Sequence, residues 1–215
     1  MRSSAASDVY KRQQYTSMLQ EKDVIFEIFQ YATERAKVVG AENIYDFSLG
    51  NPSVPAPSIV NETIVQKVNT LDPLALHGYS PSFGIMETRE KIAAFLNKKY
   101  GSSYKASNIF MAIGAAGALA HAFRAVTNPG DEIITFAPCF SEYKPYTAGA
   151  GLKLTIIPAD IDTFQINFAA FEAQLNENTT AVLINSPNNP SGIVYSTETI
   201  KKLADILTEK SKEFG

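Results

Sequence analysis

Three short runs in this chain carry residue types that could do chemistry: "GAAGAL" (114–119), "PCFSEY" (138–143) and "NSPNNPSG" (185–192). In the first, Gly114, Ala115 and Ala116 have almost no side chain. At a helix start their N–H groups would be open to an anion, which the helix dipole also favours. Small residues also suit a close-packed strand-to-helix junction, so the run alone has two readings. In the second, Phe140 follows the rigid Pro138 and can lie flat against a planar ring, with offset stacking worth roughly 0.5–1.5 kcal/mol beyond burial. Tyr143 can bring a hydroxyl to the same region; both types are also common in cores. In the third, each asparagine adds a donor and an acceptor that need partners if buried. Asn189 sets a neutral donor on a loop stiffened by Pro190, where the X-Pro bond can be cis. A neutral amide facing a ring oxygen steadies its anion without adding charge. Self-satisfied Asx-turns are the other reading.

These runs must be positioned by the elements around them. Strand-length apolar runs "NIFMAI", "DEIITF", "LKLTII" and "TAVLI" alternate with helix-length segments over 115–127, 140–149 and 168–176, with a further helix over 197–212. Such alternation predicts an α/β fold, a mostly parallel sheet with helices on both faces joined by right-handed crossovers. Ligands on these sheets sit at the carboxyl ends of the strands, where all three runs fall. Upstream, a helical pattern runs from Leu19 to about Val39, with Ile25, Ile28, Phe29, Ala32 and Ala36 on one face and Gly40 as terminator. Further helices are expected over 59–71 and 85–100, the latter closed by Gly101.

Composition narrows the function classes. At 215 residues and 45% apolar content the chain can bury a sizeable core. A net charge of −3 with no basic cluster argues against nucleic acid as a partner. No run reaches the ~18 apolar residues of a membrane span, and no apolar signal core opens the chain, so a cytoplasmic location is expected. A single cysteine, Cys139, leaves no internal disulfide, and two histidines, His77 and His121, make a metal site unexpected. The opening "MRSSAASDVYKRQ" (1–13) reads as translated sequencing-adapter sequence and is set aside. Residues 14–56 are then expected to be an N-terminal arm and 57–215 an incomplete large domain of a longer protein.

Taken together, the three runs in this order on successive strand ends resemble fold-type I pyridoxal-phosphate enzymes, most closely the class I/II aminotransferases of the aspartate aminotransferase type. "FSLGNPSVPAP" is similar to that family's substrate-lid segment and "HGYSPSFGIMETREKIAAFL" to its tyrosine-glycine-arginine helix. The resemblance implies pyridoxal 5′-phosphate as cofactor. It implies Gly114, Ala115 and Ala116 on the phosphate, Phe140 on the ring and Asn189 on the ring oxygen O3′. It places Gly50 at the substrate carboxylate and Tyr79 on the phosphate of a neighbouring subunit, hence a homodimer. Substrates would be an amino acid and a 2-oxo acid. Ala115 and Ala116 depart from members that offer a hydroxyl there.

The family's Schiff-base lysine and pyridine-nitrogen aspartate follow tens of residues after "NPSG", so no catalytic residue is expected within 1–215 and the chain alone is expected to be inactive. Lys201, Lys202, Lys210 and Lys212 fall on the polar face of the last helix. A carbon-sulfur lyase of the same fold, or the sensor domain of a regulator, would present the same three strand ends. A plain nucleotide-binding module predicts an acidic residue at the second strand end, where "FAPCF" has none.

Overall fold

The computed structural model describes residue 16, residues 24–48, residue 50 and residues 54–214, without the side chain of residue 25. The run 1–13 therefore lies outside the described residues. Two compact units are distinguished, Met1–Tyr79 and Ser80–Gly215.

The first unit contains α1 (Val24–Val39), a 3-10 turn at Ala41–Asn43, α2 (Ser58–Thr70) and α3 (Pro73–His77). The short α3 was not expected from periodicity, yet its start is written locally. The Asp72 carboxylate accepts from the amides of Leu74 at 2.9 Å and Ala75 at 3.1 Å, and Pro73 occupies the first position. Neither α2 nor α3 buries a residue.

The second unit begins with α4 (Met86–Tyr100), which ends where Gly101 turns left-handed at φ 65° and its amide closes on the Asn97 carbonyl. There follow α5 (Gly114–Val126), β1 (Glu132–Phe136), α6 (Tyr143–Gly149), β2 (Lys153–Ile157), α7 (Phe168–Gln174), β3 (Thr179–Leu183) and α8 (Thr197–Phe214). The strands form a parallel sheet in the order β2-β1-β3. The central β1 is buried at every position, as a parallel strand covered on both faces must be.

Alternation along β1 sorts the core into two layers. Ile134 and Phe136 pack with Phe171 of α7 and Leu203 of α8. Ile133 faces the other way, onto Phe123 of α5, with Tyr146 of α6 beside them. Helices thus cover both faces, as the βαβ alternation predicts. Burying each of Ile133 and Ile134 completely is worth roughly 1.5–3 kcal/mol.

One expected strand is absent from the sheet. In "NIFMAI" Asn108 closes a 3-10 turn over Ala106–Asn108, and the backbone is extended at Ile109, with φ and ψ of −104° and 119°, and at Ile113, with −87° and 93°. It joins no ladder among the described residues, because an extended backbone becomes a strand only beside a neighbour that takes its amides and carbonyls. Its apolar side chains are correspondingly open, Ile113 at 95% exposure.

Candidate functional site

The parallel register fixes which loops share an end of the sheet. Thr135 pairs with Leu183, and its hydroxyl donates to the Leu183 carbonyl at 2.8 Å, so β1 and β3 finish side by side. The loop after β1 carries Phe140 and the loop after β3 carries Asn189; both leave from the carboxyl edge.

Gly114 reaches this edge by another route. The short connection Thr127–Asp131 joins α5 to β1, and Phe123, near the end of α5, packs on Ile133, near the start of β1. Helix and strand are therefore antiparallel neighbours, and the helix start points to the carboxyl end of the sheet. That start carries no side-chain cap, and the first amide to find a carbonyl is Gly117, on Ile113 at 3.3 Å. Gly114 adopts φ 66°, and a Cβ there would meet nothing within 4 Å. Open space before uncapped amides at the positive end of a helix dipole suits an anion such as a phosphate ester.

Around Phe140 the loop turns by a 3.2 Å bond from the Tyr143 amide to the Phe140 carbonyl, and the two rings meet edge to face at 5.7 Å. Phe140 is half-buried. Tyr143 is buried, and burial pushes its hydroxyl above the usual phenol range, with smaller contributions from Cys139 and Tyr146. Tyr195, just beyond the "NPSG" turn, is raised the same way, by burial first and then by Cys139 and Tyr143. Burial likewise raises the Cys139 thiol against the opposing charge of Lys144. Burial thus raises all three groups, Cys139 and Tyr143 after β1 and Tyr195 after β3. Tyr195 packs in the core with Phe136 and Phe171, a burial that a lone tyrosine in a strand-to-helix loop does not signal by periodicity.

The asparagine loop resolves its two readings residue by residue. Asn188 is buried, and its carboxamide oxygen accepts from the Ser191 amide at 3.2 Å and hydroxyl at 2.9 Å. The Asn185 side chain accepts from the Asn189 amide at 2.8 Å. Those two are turn-makers. Asn189 is exposed, and its own carboxamide makes no hydrogen bond with any described residue. The Asn189–Pro190 bond is cis. The free amide is therefore the one that can meet a ligand.

Gly50 and Tyr79 belong to the first unit. A Cβ at Gly50 would meet nothing within 4 Å, and Tyr79 is fully exposed. Two of the lysines of α8 have partners: Lys210 pairs with Glu213 at 2.5 Å, and Lys202 lies 4.4 Å from the ring centroid of Phe168 in α7. Among the described residues no group of acidic, histidine or cysteine side chains could hold a metal. No described helix is long and apolar enough to cross a membrane.

Comparison with known proteins adds independent findings. Residues 41–212 match the family model described as aminotransferase class I and II. The chain is 30% identical to an aspartate aminotransferase of Sulfurisphaera tokodaii, covering 85% of this chain and 45% of that one. It is 32% identical to an aspartate aminotransferase of Thermotoga maritima, covering 84% and 47%. Among solved structures, an aminotransferase of Eubacterium rectale is 50% identical with a TM-score of 0.91, over 96% of this chain and 52% of that one. An aspartate aminotransferase of Thermus thermophilus with maleate is 25% identical with a TM-score of 0.80, over 93% and 50%. The chain spans about half the length of the relatives it matches.

Proposed function

The chain belongs to the class I and II aminotransferases, and from that premise we propose that it is part of an enzyme that moves an amino group between an amino acid and a 2-oxo acid with pyridoxal 5′-phosphate. What supports this reading is that the loops carrying Phe140 and the free Asn189 carboxamide leave the same end of the sheet, the end to which the uncapped start of α5 at Gly114 also points.

When bound, pyridoxal phosphate supplies an electron sink for bonds at the substrate's α-carbon. This chain's residues do the holding. The amides of Gly114, Ala115 and Ala116, with the α5 dipole behind them, take the phosphate oxygens without a hydroxyl side chain. Phe140 covers one face of the ring and excludes water from it. Asn189 donates to the ring oxygen O3′ and favours its anion while leaving the net charge unchanged. Gly50 offers its backbone to the substrate carboxylate. Tyr79 reaches the phosphate of a second copy, so the working unit is a homodimer. Residues 14–56 serve as arm and lid, and 57–215 as part of the cofactor-binding domain, in the cytoplasm. The lysine that binds the cofactor covalently is none of those in 1–215, so this chain by itself binds pyridoxal phosphate reversibly and is inactive.

The test is dialysis of the 215-residue chain against pyridoxal 5′-phosphate and against pyridoxal, followed by borohydride reduction and mass spectrometry. Preference for the phosphate ester, with no pyridoxyl-lysine, is expected. Absence of that preference sinks the site, and a reduced lysine within 1–215 sinks the claim of inactivity. Assaying a full-length relative carrying these residues for amino transfer, against release of sulfide and pyruvate, separates a transaminase from a lyase.

A further inference from the structure

The run Ile109–Ile113 leads directly into the Gly114 helix start, yet no ladder holds it and its side chains are largely open, Phe110 at 53% and Ile113 at 95% exposure. An uncapped helix start is useful to an anion only if its amides stay within a few tenths of an ångström of the acceptor. Among the described residues, contacts from outside the sheet reach this run.

Those contacts begin at Arg89. Arg89, in the first turn of α4, is buried, with 9% of its surface exposed, and makes no ion pair with a described carboxylate. Its Nε–H donates to the Ile109 carbonyl at 2.9 Å, across twenty positions of sequence. Its guanidinium lies 5.9 Å from the Phe83 ring centroid, and Phe83 meets Phe110 edge-on at 6.2 Å. Phe110 in turn meets His121 of α5 at 5.3 Å. Gly84, at φ 89°, lets the chain pass Met111 so closely that a Cβ there would sit 2.4 Å from Met111 Cγ. Backbone, ring and glycine contacts thus run from the start of α4 across the extended run and onto the helix behind Gly114. A buried cation that gives its hydrogen bond to a main-chain carbonyl is expensive unless that bond is kept.

We propose that Arg89 is a positioning residue for the anion cup: with Phe83 and Gly84 it grips Ile109–Met111 and so sets where the amides of Gly114–Ala116 point. The proposal rests on reading those amides as the phosphate site. Lysine keeps the charge at position 89 but not the planar fork, so it should restore the grip only in part.

The experiment uses the 215-residue chain and its Arg89→Met and Arg89→Lys variants. Limited chymotrypsin digestion compares cleavage after Phe110 with cleavage after Phe164, an exposed residue in the loop between β2 and α7. Dialysis compares pyridoxal 5′-phosphate with pyridoxal. In Arg89→Met, cleavage after Phe110 should accelerate about tenfold with Phe164 unchanged, as loss of one charge-assisted hydrogen bond implies. Affinity for the phosphate ester should fall about tenfold and that for pyridoxal less than about twofold, with Arg89→Lys between wild type and Met. Equal loss for both aldehydes, or acceleration at both phenylalanines, would mean a purely structural arginine and overturns the proposal. Unchanged cleavage after Phe110 in a chain that favours the ester overturns the grip alone. A wild-type chain that does not favour the ester overturns the cup and the proposal with it, even where cleavage responds.

Discussion

The two ends of the sheet treat their polar groups in opposite ways. At the amino end Glu132, only 2% exposed, accepts from Lys153 of β2 at 2.5 Å and from Asn176, just before β3, at 3.3 Å. One carboxylate fastens all three strands, and the Glu132 amide itself donates to the Asn178 carbonyl. At the carboxyl end the helix start is uncapped, Asn189 is free and a hydrophobic residue, Ile113, faces water. Groups satisfied internally contribute to stability; groups left unsatisfied at an exposed rim are available to a ligand. The contrast predicts that substitutions at the first end read out in stability and those at the second in binding.

The largest effect should come from Glu132→Ala, which removes the shared acceptor and leaves Asn176 half-satisfied. A loss of about 2–4 kcal/mol in a urea titration is expected, the exposed Lys153 keeping it below the cost of breaking a fully buried pair. A loss under about 0.5 kcal/mol, the usual range for surface changes, would break the contrast at its strong side. Next, Ala115→Asp puts a carboxylate where an anion should bind. Dialysis should show pyridoxal 5′-phosphate affinity reduced at least about thirtyfold, while the same charge at a helix start raises stability by about 0.3–1 kcal/mol. Retained binding would show that the amides are not the anion site.

Asn189→Ala is expected to weaken that affinity about tenfold, one hydrogen bond to an anionic oxygen, and to leave the urea midpoint within about 0.5 kcal/mol of wild type. A destabilised variant would place Asn189 with Asn185 and Asn188 among the turn-makers. The smallest effect is a pH dependence. Burial raises the folded-state pKa values of Cys139, Tyr143 and Tyr195 above those of the free thiol and phenol. The native state then holds these protons longer than the unfolded chain does. Their contribution is complete below the unfolded values and is lost as pH rises through and beyond them. Stability followed by urea midpoint should fall above about pH 9, and Tyr195→Phe should flatten that fall. An unchanged slope in the variant would separate Tyr195 from the other two groups.

Much of this was legible in order along the chain. The alternation of "DEIITF", "LKLTII" and "TAVLI" with amphipathic segments matched three strands and their helices to within a few residues. Gly101 ended its helix for the reason its type suggests, and Asp72-Pro73 announced a helix start that periodicity over five residues was too short to reveal. "NIFMAI" misled because apolar content marks a segment that wants burial and says nothing about whether a neighbouring strand is present. "NSPNNPSG" was ambiguous because three identical side chains have the same local options.

What the amino-acid order determined by itself was therefore everything governed by near neighbours: element type, helix ends, the small residues before α5 and the polar run after β3. Only the folded chain decided which asparagine stays free, that burial raises Cys139, Tyr143 and Tyr195 alike, and that Arg89 donates to the Ile109 carbonyl. The physical reason is that a hydrogen-bonding group goes to the partner that the fold brings within reach, and residue type alone does not say whether that partner lies three or four positions away, as for Asn188 and Asn185, or twenty, as for Arg89.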